Sequence, residues 1–208
     1  MKLYFRKAGE TGQAIIILHG IFGSSDNWLT IGKVLADTYQ VYMVDQRNHG
    51  QSPRSDEFNY EVMSADLKEF IDDHQIENPV IIGHSMGGKT VMQFALNYPD
   101  SFSKMMVVDI APKFYPVHHH MILQGLAAVD LPNLSSRTEA NEILKRFEEK
   151  EGVRQFLIKN LWRNPEKDKQ LTNREERRQA RMKGIVLHLK AVDDGKGGIK
   201  VRWNRDHD

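Results

Sequence analysis

Gly83-His84-Ser85-Met86-Gly87 sets one hydroxyl between two glycines, with the apolar run Val80–Ile82 before it and a helical pattern after it. This G-x-S-x-G spacing is that of a nucleophile elbow, where a serine occupies a sharp strand-to-helix turn. Glycines two residues away on either side leave room where side chains would collide with the adjoining strand and helix. Such a turn raises the Ser85 hydroxyl above the strand ends and aims the Met86 backbone N–H at a bound carbonyl oxygen. The positive end of the following helix adds to the same site. Acyl transfer is the chemistry this arrangement serves, with Ser85 as nucleophile and Met86 as one oxyanion donor. A second N–H donor is expected from ILHGIFGSSDNW (Ile17–Trp28), with Ile21 first by position and Phe22 next. Read as an ordinary strand–helix connection, the same loop offers Ser24, Ser25 or Asp26 as a helix cap.

A third block, VDQRNHGQS (Val44–Ser52), carries Asp45, Arg47, Asn48 and His49. Turn and ion-pair bracing is the expected role of these residues, ahead of substrate contact or, for His49, proton transfer. Lys89 follows GHSMGG but lacks the glycine–lysine spacing of a phosphate loop.

The elements that must position these blocks can be read from hydrophobic period. Ala14–Leu18 (AIIIL), Val41–Val44 (VYMV), Val80–Ile82 (VII) and Met105–Ile110 (MMVVDI) are short continuous apolar runs, the last with an aspartate inside it. Such runs suit strands covered on both faces, as in a parallel sheet. Between them Trp28–Thr38, Tyr60–His74 and Lys89–Tyr98 have helical spacing. In the second of these, Val62, Ala65, Leu67, Phe70 and Ile71 recur at steps of about three and four. Alternation of this kind predicts a doubly wound α/β core. Beyond Pro112 the pattern turns helical and amphipathic from Phe114 to Leu161, with breaks near Pro132-Asn133 and Gly152. Residues 164–182 are very polar, and Ile185–Val192 and Ile199–Trp203, joined by a glycine-rich loop, predict a hairpin. The expected organisation is a core over 1–112, a helical cap over 113–165 and a charged tail over 166–208.

Composition sets the class. The 208 residues are 40% hydrophobic and 27% charged, with a formal net charge of +1, so bulk charge argues for neither nucleic acid nor anionic membrane. REERRQAR (Arg174–Arg181) reads as a solvated helix face with Glu/Arg pairs. The absence of cysteine excludes disulfides and thiolate chemistry, and fits a reducing, cytoplasmic setting. The start MKLYFRKAGETGQ has no signal-peptide h-region, and no run approaches the ~18 apolar residues of a membrane helix. No cofactor is implied. The His118-His119-His120 run supplies too few ligands for a metal site by itself.

The succession LHGIFGSSDNW, DQRNHGQS, GHSMGG and VVDIAP resembles the small α/β-hydrolase esterases of the bacterial YbfF type and their mitochondrial relatives. The likeness extends over roughly residues 1–165, including a cap-like FLIKNL at Phe156–Leu161. It implies an α/β-hydrolase fold with a helical cap, and hydrolysis of small-molecule acyl esters or thioesters by a Ser-His-Asp triad. Ser85 falls on the nucleophile, and Met86 with Ile21 and Phe22 falls on the oxyanion hole. Asp109 in VVDIAP falls on an acid placed after the sixth strand, from which it would orient an imidazole. The alternative for Asp109 is a strand-end residue that caps the loop into the cap.

The family's histidine lies after the last strand, and no segment here matches it. The order Ser…Asp…His leaves His118, His119, His120, His188 and His207 as downstream candidates. The HHH run opens the cap, His188 alternates within a β-like stretch, and His207 stands in the terminal RDHD. No histidine is assigned as the base from the sequence; His207, near the end where fraying is expected, is a candidate only. Pairing it with Asp194 leaves too few residues for the intervening helix and strand. A chain that stops within or just after the cap would lack the last strands. Its exposed sheet edge and apolar surface would favour association, as a homo-oligomer, or low stability. A catalytically silent hydrolase-like protein that only binds acyl ligands is the competing expectation.

Overall fold

The computed structural model describes residues 1–115, 119–131 and 133–163, together with the backbone of short strands at 185–187, 190–193 and 199–202. Two compact units divide the chain, Met1–Phe114 and Tyr115–Asp208.

The first unit is built on a five-stranded sheet. Its strands are β1 (Phe5–Ala8), β2 (Ala14–Leu18), β3 (Gln40–Val44), β4 (Val80–His84) and β5 (Lys104–Val108), in spatial order β1-β3-β2-β4-β5. All pairings are parallel except β1 with β3. Crossovers run through α1 (Leu29–Leu35), α2 (Tyr60–Asp73) and α3 (Met86–Asn97), with a 3-10 turn at Ser25–Trp28 ahead of α1.

The isoleucine run of β2 shows why this sheet forms. Ile16 and Leu18 pack with Leu67, Phe70, Val91 and Phe94 of α2 and α3, while Ile15 and Ile17 pack on the other face beside Trp28, Leu29 and Leu35. A strand covered on both sides needs no polar alternation, which is why β2 reads as unbroken AIIIL. Asn59 caps α2 by accepting the Val62 N–H at 3.0 Å.

The parallel register gathers the chemistry at one edge. Leu18 stands opposite Val44 and Gly83, and His84 opposite Val108. The residues that follow, His19, Asp45, Ser85 and Asp109, therefore leave the sheet together at the carboxyl ends of the strands, where open α/β sheets hold their sites. Among the described residues β5 pairs with β4 alone, and Met105 and Met106 on it are 48% and 55% exposed.

Several bounds differ from the sequence reading. The edge strand β1 carries no apolar run and is marked only by pairing antiparallel to β3. The third core helix starts at Met86, directly after the serine, and not at Lys89.

In the second unit α4 (His120–Ala128), α5 (Arg137–Leu144) and α6 (Glu151–Ile158) bury Leu123, Leu126, Ala140, Leu144, Leu157 and Ile158. Arg154 is buried, and its guanidinium donates to Asn141 Oδ1 and to the Glu148 and Glu149 carbonyls, holding the turn between α5 and α6. Gly152 lies in the first turn of α6, so the break in the pattern falls before it. Strand β6 (Leu161–Arg163) pairs antiparallel with β7 (Ile185–Leu187), and β8 (Lys190–Asp193) with β9 (Ile199–Arg202). The expected hairpin is thus β8–β9, while the first part of Ile185–Val192 pairs elsewhere. No helix among the described residues is long and apolar enough to cross a membrane.

Candidate active site

Ser85 joins β4 to α3 at φ 52° and ψ −114°, a conformation that an L-residue adopts only under strain. Its N–H donates to the Val108 carbonyl at 2.9 Å, and its own carbonyl accepts from Lys89 N–H at 3.1 Å. Both neighbours of the turn are tied, one to β5 and one to the helix, so the strain cannot relax by drifting.

The two outer glycines permit this approach. A Cβ on Gly83 would lie 2.3 Å from the Gly87 carbonyl oxygen, and one on Gly87 would lie 2.5 Å from that of Leu18. Both obstacles are backbone atoms, which have nowhere to move. Gly87→Ala is therefore expected to cost about 1–3 kcal/mol of stability, read as a lower urea midpoint with an unchanged m value. A Gly152→Ala control, where nothing lies within 4 Å of the added Cβ, should hold or slightly raise the midpoint, since alanine is the better helix former.

The loop after β2 packs directly on the serine. A Cβ at Gly20 would stand 3.2 Å from Ser85 Cβ and 3.0 Å from His84 Nδ1. Gly23 N–H donates to the Gly20 carbonyl at 3.0 Å, closing a turn whose central residues are Ile21 and Phe22. Phe22 is buried and left-handed at φ 61°. The turn that carries Ile21 and Phe22 therefore begins at a residue, Gly20, that packs against Ser85.

Asp109 leaves β5 beside the serine, also left-handed at φ 56°. Its carboxylate is 85% exposed, and Oδ2 lies 3.7 Å from His84 Nε2, whose ring is 39% exposed. A contact this open to water is screened and contributes little to stability. The first unit therefore sets the His84 imidazole next to Asp109, a neighbour that sequence reasoning did not single out. His19 and Trp28 are also near His84; the Trp28 and His84 rings meet edge-on at 6.2 Å. Of the downstream histidines, His119 and His120 lie at the start of α4 in the second unit, while His118, His188 and His207, with Asp194, fall outside the described residues.

Most of the Asp45–Ser52 block is buried: Asp45, Gln46, Arg47, Asn48, His49 and Ser52 are covered, and only Gln51 is exposed. Asp45 accepts from Ser25 N–H at 2.6 Å and from Gln51 N–H at 2.9 Å, so it holds two loops at once. Arg47 pairs with Asp66 through Nε at 2.6 Å and Nη2 at 2.9 Å, both side chains buried. Asn48 and Ser55 exchange two hydrogen bonds, each through the Asn48 amide. His49 is buried, and its Nδ1–H donates to the Arg47 carbonyl at 3.0 Å. Its Nε2 has no hydrogen-bond partner among the described residues.

The His19 and His49 rings lie 5.1 Å apart. Burial pushes His19 down to about 4, with a hydrogen bond to the Gly20 carbonyl opposing and the nearby His84 adding to the fall. Burial takes His49 down to about 3, and the neighbouring His19 deepens it. Both rings are therefore neutral at pH 7 and act as fixed hydrogen-bonding groups. Among the described residues no group of three His, Cys, Asp or Glu side chains is placed to hold a metal ion.

A doubly wound sheet that carries a serine on a strained strand-to-helix turn, with a glycine loop folded against it, defines the α/β hydrolases. The chain belongs to that family: a family model described as alpha/beta hydrolase fold matches residues 13–187. The esterase YbfF of Escherichia coli (strain K12) is 39% identical over 166 residues, covering 77% of this chain and 65% of the relative. The sn-1-specific diacylglycerol lipase ABHD11 of Danio rerio is 37% identical over 155 residues, covering 71% of this chain and 49% of that protein. Among solved structures, a marine microorganism esterase superposes with a TM-score of 0.77 at 44% identity, over 79% of this chain and 66% of that one. The chain thus spans about half to two thirds of the length of these relatives.

Proposed function

We propose that this chain is a serine hydrolase acting on carboxylic acyl esters or thioesters, with Ser85 as its nucleophile. The observation that carries the reading is Ser85 held at φ 52° between Gly83 and Gly87, with Gly20 packed against its Cβ. Backbone strain that the surrounding structure holds in place clusters at functional sites.

In this reading Ser85 Oγ attacks the acyl carbon while a histidine ordered by Asp109 takes its proton. The oxyanion forms against the N–H of Met86 and the N–H of Ile21 or Phe22, at the amino end of α3. The alcohol or thiol then leaves with the proton from that histidine. Water, deprotonated by the same imidazole, attacks the acyl-enzyme and returns Ser85. The relatives named as esterases and a lipase support ester substrates.

A fluorophosphonate probe tests the reading. One probe per chain, on Ser85, is expected at pH 8, and Asp109→Asn should slow the labelling by about 10²–10⁴-fold with little change in melting temperature. A chain that takes up no probe at Ser85 has no activated hydroxyl, and the silent acyl-binding protein becomes the correct description.

A further inference from the structure

An oxyanion hole assembled from Met86 and the Ile21–Phe22 turn draws its donors from two separate chain segments, the loop after β2 and the start of α3. Gly20 offers no side chain to fix the loop, and Ser85 is itself strained. Something must hold the loop at the right height above α3.

The side chain of Gln46 makes that connection. Its Nε2 donates to the His19 carbonyl at 2.7 Å, and its Oε1 accepts from the Thr90 hydroxyl at 2.8 Å. Its backbone N–H donates to His19 Nε2 at 3.0 Å. Because Nε2 accepts, His19 carries its proton on Nδ1, which donates to the Gly20 carbonyl at 2.8 Å. One residue at the end of β3 therefore grips His19 at both its carbonyl and its ring, and the ring passes the constraint to the Gly20 peptide. Thr90 lies on α3, where its hydroxyl also reaches the Met86 carbonyl at 3.3 Å. His19, Gln46 and Thr90 are all at least 97% buried, so each of these bonds would leave an orphaned polar group if broken.

We propose that Gln46 is a positioning residue, clamping the oxyanion loop after β2 to the nucleophile helix α3 through His19 and Thr90. This rests on the assignment of Ser85 as nucleophile. The clamp touches no substrate atom. It sets the distance between the Met86 N–H and the turn donors, so its loss lowers the rate of the acylation step without weakening ground-state binding.

Two variants cut the clamp at different ends. Gln46→Leu removes both amide contacts at similar volume. Thr90→Val removes the helix end alone and leaves His19 held, so it carries the test if Gln46→Leu does not fold. Fluorophosphonate labelling, turnover of p-nitrophenyl butyrate and amide hydrogen exchange are followed in both, with Ser85→Ala as reference. The expected result for Gln46→Leu is a fall of about 10–100-fold in the labelling rate and in kcat, with KM within about twofold of wild type. Thr90→Val should show the same split at about 3–10-fold, since one tether remains. Exchange in the peptide spanning His19–Phe22 should quicken in both variants, and in α2 it should not. Labelling and kcat within twofold of wild type in both variants overturn the inference, whatever happens to the melting temperature, because the contacts then serve stability only. If wild type itself is not labelled, the nucleophile assignment has failed separately. The exchange measurement then decides the clamp alone: faster exchange at His19–Phe22 in Gln46→Leu supports it, and unchanged exchange overturns it.

Discussion

Ser85→Ala is expected to lower kcat for p-nitrophenyl butyrate by about four to six orders of magnitude while leaving the unfolding transition where it is in wild type. The size of the loss follows from the site. On the proposed mechanism no acyl-enzyme forms without Oγ, and what remains is the oxyanion hole acting on water. The stability expectation follows from the backbone: alanine at φ 52° and ψ −114° keeps the same strain as serine, so nothing is relieved. Ser85→Gly separates the two effects. It should be equally inactive yet more stable by about 1 kcal/mol, because glycine adopts positive φ without penalty. An inactive pair that differs in stability in this direction would mean that strain at the elbow is maintained for function. Undiminished turnover in Ser85→Ala would place the chemistry elsewhere, and equal melting temperatures for the two variants would remove the strain argument.

Much of this site was legible before any coordinates because its demands are local. A parallel strand buried on both faces reads as AIIIL or VII, and an elbow needs glycines at fixed offsets from its serine. Both signals lie within a few residues. Ser85, Met86 and the Ile21–Phe22 turn were singled out in this way, and Gly20, at the head of that turn, packs against Ser85.

What was not legible depends on register. Gln46 looks like any polar residue in VDQRNHGQS. It becomes a clamp because Leu18 pairs with Val44, which brings the residues after β2 and β3 level with one another. The His84–Asp109 contact likewise needs His84 opposite Val108. Strand β1, FRKA, has no apolar run, since it is a sheet edge whose side chains are only partly covered. The stretch Ile185–Val192 read as one strand, yet its two ends pair with different partners, a choice that no hydrophobic period encodes. Tertiary pairing decides each of these, and a single sequence records it only through the local patterns that pairing happens to require.

The buried histidines His19 and His49 predict a second large effect, on stability against acid. His19 and His49 stay neutral in the folded protein down to about 4 and about 3, whereas the unfolded chain takes up protons below the ordinary value of 6.5. Between those limits the unfolded state binds more protons than the folded one, so stability must fall as pH falls. Their full contribution is present above pH 6.5 and is lost progressively as pH drops through 4 and toward 3. At ~1.36 kcal/mol per pH unit for each ring, the slope below pH 6 approaches about 2.7 kcal/mol per unit if both stay unprotonated. That is a large share of the ~5–15 kcal/mol stability of an ordinary domain. Urea midpoints between pH 8 and 4.5 measure it in a window above most carboxylate titration. The expected curve is flat above pH 7 and falls steeply below 6. His49→Asn, whose amide can still donate to the Arg47 carbonyl, should roughly halve the slope, because one of the two neutral rings is gone. A flat curve down to pH 4.5 would mean that these rings accept protons in place. In that case His19 Nε2 could not also accept from Gln46, and the clamp on the oxyanion loop would open in acid.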